Sequence, residues 1–107
     1  MLYETTPRVE GLCRFVGEVL AEHPRTNALM LLVAVDLIHN QGDSPANIYE
    51  RTTGTRASTA AENCITRLRS MGFCELAEGE YLGGASGRRH VFLTEKAASL
   101  LELGPSK

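Results

Sequence analysis

Between residues 28 and 38 only Asp36 is not apolar. Water cannot be kept on any large face of such a segment, so a chain this short must build its core around it. The eight apolar residues in a row at 28–35 fall well short of the roughly 20 that cross a bilayer, so no membrane contact is expected. Val33 and Val35 leave a strand open as a reading for the middle. The length of the segment and the N-cap candidates Thr26 and Asn27 favour a helix over 26–41, stopped at Asn40-Gln41-Gly42. Apolar nearly all round, it is expected to be the central buried helix.

Its neighbours read as amphipathic. Val9, Leu12, Cys13, Val16, Leu20 and Ala21 recur at three- and four-residue steps over 7–22, with Pro7 at the first helical position after Thr6 and His23-Pro24 as the stop. Phe15 and Val19 widen that stripe, which suits a helix touching more than one partner. A short helix is expected at 44–51, capped by Asp43 or Ser44 with Pro45 at its first position, and then a tight turn on Gly54. A further helix runs over 57–71 and ends at Gly72, with Thr59 and Glu62 spaced as a capping box. After Gly72 the period changes to alternation, at 73–77 and again at 90–94. Gly83, Gly84, Ser86 and Gly87 lie between as a hairpin tip. Thr94 caps a last helix over 95–103, which Gly104-Pro105 terminates. The expected fold is mainly α with a small β-hairpin (α+β), about five helices and two to three short strands, in one domain over 1–107.

Charge is unevenly placed. The net charge is −2 overall, yet residues 51–90 carry six Arg against four acids, whereas 1–50 carry three Arg against seven acids. Arginine presents a planar fork to phosphates and guanine edges. On the 57–71 helix, Ala57, Ala61, Cys64, Ile65, Leu68 and Met71 make an apolar stripe. Ser58, Thr59, Glu62, Asn63, Thr66 and Arg67 fall on or beside the opposite face, where short hydrogen-bonding side chains suit base edges and phosphates in a major groove about 12 Å wide. Glu62 either accepts from cytosine or only closes the capping box, which by itself accounts for it. Gly87-Arg88-Arg89 at the hairpin suits a minor groove or phosphates, and His90 beside them either touches phosphate or begins a strand.

Taken in order, Ile48-Tyr49-Glu50-Arg51, Ser58-Thr59 at a helix start, Ile65-Thr66-Arg67-Leu68, Met71-Gly72-Phe73 and Gly87-Arg88-Arg89-His90-Val91-Phe92-Leu93-Thr94-Glu95-Lys96-Ala97 resemble the winged helix-turn-helix core of MarR-type transcriptional regulators. The resemblance covers 44–102 at motif level. It implies a helix-turn-helix core and wing over 26–94, flanking helices at 6–23 and 95–104, a homodimer, and a palindromic duplex DNA site read by two recognition helices about 34 Å apart. It further implies a repressor acting by occluding a promoter, and a small-molecule effector. Arg56, Ser58, Thr59, Asn63, Thr66 and Arg67 would contact DNA from the recognition helix, and Arg88 and Arg89 from the wing. Ala85-Ser86-Gly87 replaces the family's acidic wing run, and the turn before the recognition helix is about two residues longer. With no long helices after residue 104, dimerisation would fall to Phe15, Val19, Leu100, Leu101 and Leu103.

The other classes are poorly supported. No HExxH, Gly-x-Ser-x-Gly or phosphate-loop pattern is present, and no metal-ligand spacing links the three Cys and three His; neither an enzyme nor a cofactor is expected. Cys64 and Cys74 read as core. Cys13 reads as a small core residue or a redox sensor. With no secretory leader, a reducing, cytoplasmic setting is expected. The near-neutral charge supports one alternative function, a winged helix used as a protein-interaction module without DNA.

Overall fold

A computed structural model describes residues 2–78 and 89–106. The described residues form α1 (Val9–Glu22), α2 (Ala28–His39), α3 (Pro45–Thr53), α4 (Thr59–Ser70), β1 (Cys74–Glu78), β2 (Arg89–Leu93) and α5 (Glu95–Leu101). β1 and β2 pair antiparallel, with Cys74 opposite Leu93 and Glu78 opposite Arg89. The architecture is α+β and compatible with a winged helix. Of the expected two to three strands, two form; beside them, among the described residues, stands a bridge in which Gly42 N donates to Val91 O at 2.7 Å and Val91 N to Asp43 O at 2.9 Å.

Local chemistry sets most helix starts. Asn27, Ser44, Ser58 and Thr94 each accept, through a side-chain oxygen, from an amide three residues on, at 3.0 to 3.3 Å, which satisfies one orphan donor per helix. Two expectations change. α1 begins at Val9, behind an Arg8 whose side chain makes no cap. Ser58, not Thr59, caps α4, so its third position is Ala61; the Thr59–Glu62 box does not form and Glu62 faces out. Gly54 (φ 86°) and Gly72 (φ 81°) close α3 and the turn after α4 in the left-handed region, where glycine carries no Cβ clash. α5 ends two residues earlier than expected, because Glu102 takes up φ 56° and turns the chain.

The core draws on every element. Phe15 of α1 meets Phe73, just before β1, with ring centroids 5.0 Å apart and planes tilted by 54°, a favoured aromatic geometry. α2 buries Met30, Val33, Ala34, Leu37 and Ile38. It is not buried all round, since α3, α4 and β2 cover only one side: Leu32 is 49% exposed and Val35 48%.

The candidate dimerisation residues are placed differently from the expectation. Phe15 (1% exposed), Val19 (0%), Leu101 (1%) and Leu103 (9%) point into the protomer's own core, and Leu100 packs against its margin. The cause is the fit of α1 on α5. A Cβ at Gly11 would lie 2.5 Å from Leu101 O, so the two backbones nearly touch. Arg14 crosses the contact, donating from Nε to Leu100 O at 3.3 Å and pairing with Glu102 at 2.8 Å. These apolar residues serve the core of one chain, which the α1–α5 contact helps to close.

The ends of the chain are also joined. Glu4 N donates to Gly104 O at 2.9 Å, and Ser106 N to Leu2 O at 2.9 Å. Buried Gln41 accepts from Tyr3 N at 2.8 Å and donates to Glu4 O at 3.1 Å and Ile38 O at 2.9 Å. Its buried amide is thereby satisfied, as a buried polar group must be.

Candidate nucleic-acid interface

α3 is held rigidly before α4 begins. Ile48 anchors it in the core. Arg51 donates from Nε and Nη2 to the two oxygens of Asp36 on α2, both at 2.9 Å, and from Nη1 to Asp43 at 2.7 Å. Asp43 also accepts from Ser44 N and Asn47 Nδ2, both at 2.8 Å. Burial alone would raise the Asp43 carboxyl, but Asn47, Arg51 and the Ser44 amide outweigh it and hold the group below its ordinary value. The α3–α4 link, residues 54–58, is longer than the usual three- or four-residue helix-turn-helix turn. Arg56 ties that link back to α3, donating to Asn47 Oδ1 at 2.8 Å and lying 3.5 Å from Glu50.

α4 is amphipathic as its spacing requires. Ala61, Cys64, Ile65 and Leu68 face the core. Thr59, Asn63, Thr66 and Ser70 follow one another down the solvent face at three- and four-residue steps, with Glu62 beside them. Arg67 flanks this stripe on the α2 side and Arg69 on the β1 side, as the residues sharing their surface clefts show. Burial pushes the Cys64 thiol up despite nearby Arg67. It pushes Cys74 up to about 12 despite Arg69. Tyr49 of α3 lies close enough to Glu62 for that carboxylate, after burial, to add to the rise of its phenol.

The sequence-predicted residues divide accordingly. Thr59, Asn63, Thr66 and Arg67 share the exposed face of α4. Thr66 donates to Glu62 O at 3.0 Å, while the side chains of Thr59, Asn63 and Arg67 make no hydrogen bond or ion pair among the described residues. Ser58 serves as the helix cap, and Arg56 is engaged by Asn47 and Glu50. Arg89 opens β2 and is exposed. Arg88 and the hairpin tip, 79–88, lie outside the described residues. His90 lies in β2 and is 7% exposed, so of its two readings the strand holds and the phosphate contact does not. Cys13 is exposed rather than core, whereas Cys64 and Cys74 are buried.

Two cations were missed in the sequence. Arg69 counts only as charge until the helix is drawn, and then its position three residues after Thr66 puts it beside the stripe. Arg25 sits in the turn between α1 and α2, with no motif around it. The ion pairs among the described residues engage Arg14, Arg51, Arg56 and Lys96. Arg25, Arg67 and Arg69 are in none of them. Arg8 ahead of α1 and Arg89 at the start of β2 are likewise in none of them; of these five cations, Arg25, Arg67 and Arg69 lie on or beside α4. Among the described residues no cluster of three or more His, Cys, Asp or Glu is placed to hold a metal ion, and no helix is long and apolar enough to cross a membrane. No family model matches the chain, and no curated protein or solved structure matches it with significance.

Proposed function

We propose that the chain is a duplex DNA-binding transcriptional regulator of the winged-helix kind, a repressor acting as a homodimer, with α4 in the major groove and the Arg88–Arg89 end of the hairpin against the minor groove. One observation carries this reading: the exposed stripe of α4 offers Thr59 and Asn63 without side-chain hydrogen-bond partners among the described residues, between two arginines that are in no ion pair among them. A helix with its side chains is about 10–12 Å across and fills a groove about 12 Å wide. Its flanks then lie along the two phosphate walls, where Arg67 and Arg69 stand, and its outer stripe faces the base edges. The resemblance to MarR-type regulators supports the same reading and adds the small-molecule effector; the cytoplasmic setting rests on the sequence reading of leader and cysteines. The proposed role is binding, with no catalysis.

A second copy would need apolar surface that the protomer has not already buried. The exposed candidates are Leu32 and Val35 on α2, Val9 and Leu20 on α1, and Leu2 ahead of it. The same surface favours the second reading, a protein-interaction module that binds no DNA.

Mobility shift on random-sequence duplex at about 50 and 200 mM salt separates the two, since phosphate neutralisation makes affinity fall steeply with salt. Binding that collapses at the higher salt supports the regulator. Arg69→Ala should then weaken all sequences alike, whereas Asn63→Ala should act chiefly on a selected operator. No binding at low salt and high protein concentration overturns the reading in favour of the interaction module.

A further inference from the structure

A cleft of about 250 Å³ opens between the α1–α2 turn, the start of α2 and one flank of α4, lined by residues that include His23, Arg25, Asn27, Asn63 and Arg67. Its chemistry is one-sided. Two arginines and a histidine border it, with no carboxylate in the lining. Neither arginine is in an ion pair among the described residues. Cations that border one cleft without a carboxylate beside them attract an anion to it. The start of the twelve-residue α2 borders the same space and adds the positive end of its dipole.

We infer that this cleft binds a backbone phosphodiester of duplex DNA, gripped by Arg25 and Arg67 with His23 beside them. The inference rests on the DNA-binding reading for the polymer that supplies the phosphate. It extends the footprint beyond the helix-turn-helix and wing, to the turn ahead of α2. Arg67 and Asn63 belong both to the cleft and to the exposed side of α4. A strand whose bases meet the stripe therefore runs its phosphates past the cleft mouth. Contacts of this kind fix the register of a protein on the duplex while reading no sequence, and they make up half or more of protein–DNA hydrogen bonds. The arginine fork suits a phosphate's paired oxygens. Arg25 is the anchor specific to this site, because Arg67 also serves α4.

The test compares the parent chain with Arg25→Ala, Arg25→Gln and the double variant His23→Gln/Arg25→Ala on random-sequence duplex over a salt series. Arg25 is exposed and makes no ion pair among the described residues, so melting temperatures should match the parent's. Either Arg25 variant should lose about fivefold or more in affinity on every sequence and lower the salt slope by about 0.9, the share of one neutralised phosphate. Arg25→Lys should keep the slope. Parent-like affinity and slope in Arg25→Ala and Arg25→Gln, with the parent binding duplex normally, overturn the cleft assignment and leave the DNA-binding reading standing. A parent that binds no duplex at all overturns both.

Discussion

Arg51 grips Asp36 with two parallel hydrogen bonds of 2.9 Å each, and so fastens α3 to α2 directly ahead of α4. Its third donor reaches Asp43 at 2.7 Å. The arginine is itself more than a third exposed, which screens the charges, while the two aspartates are largely covered. Arg51→Ala should cost about 1–2 kcal/mol, above the usual surface pair but below a fully buried one. Arg51→Lys should recover less than half of that, because a point charge cannot form the fork. Urea unfolding of the three proteins measures both. An alanine variant as stable as the parent would show that Ile48 packing alone holds α3.

The same cluster sets an acid limb. Asp43 is held below its ordinary value of 3.8 in the fold. A carboxyl that is more acidic folded than unfolded binds fewer protons in the fold. Its contribution is therefore complete above about 3.8 and disappears as pH falls through the lower folded value. Asp43→Asn should destabilise the chain at pH 7 and flatten the loss of stability as pH falls below about 4. Chemical denaturation at stepped pH reads this directly. Parallel acid limbs in variant and parent would place the titrating group elsewhere.

The sequence showed what is decided within one turn of chain. Asn27, Ser44 and Thr94 were legible as caps because a short polar side chain followed by a periodic apolar run has few other uses. The change of period after Gly72 announced the two strands. What escaped was set across the fold. Phe15, Val19 and Leu101 were legible as apolar but not as members of the protomer's own core, since that depends on α1 lying against α5, where Gly11 lets two backbones meet. Glu62 fitted a local box, yet the helix started one residue earlier on Ser58. Arg25 and Arg69 stand out only once it is known which cations already have carboxylate partners. Pairing of that kind is a tertiary property, so no spacing rule reveals it. Gln41 likewise gains its role only from the N-terminal arm, far away in sequence.

Two glycines of α1 should respond in opposite senses to alanine. At Gly11 a Cβ would sit 2.5 Å from Leu101 O and 2.9 Å from Leu101 C, both backbone atoms. α1 must move off α5, and overpacking of this kind costs about 1–3 kcal/mol. At Gly17 nothing lies within 4 Å of the new Cβ, so Gly17→Ala should gain up to about 1 kcal/mol from helix propensity. Thermal melts of the pair test the α1–α5 contact: a neutral or stabilising Gly11→Ala would mean that the helices are not packed backbone to backbone.

The three thiols should separate by reactivity. Cys13 lies exposed on α1, whereas Cys64 and Cys74 are buried. Burial pushes the Cys74 thiol up to about 12, where almost none of it is thiolate at pH 8, and the thiolate is the reacting form. Burial raises Cys64 as well, in spite of Arg67 nearby. Iodoacetamide at pH 8 should therefore modify one site per chain quickly, identified as Cys13 by peptide mass. The other two should react only as fast as the core opens, and all three together in denaturant. Cys13→Ser should abolish the fast phase and leave the melting temperature within about a degree or two, as an exposed substitution does. Fast modification of Cys64 in the native chain would contradict the burial of the inner face of α4, on which the orientation of its outer stripe depends.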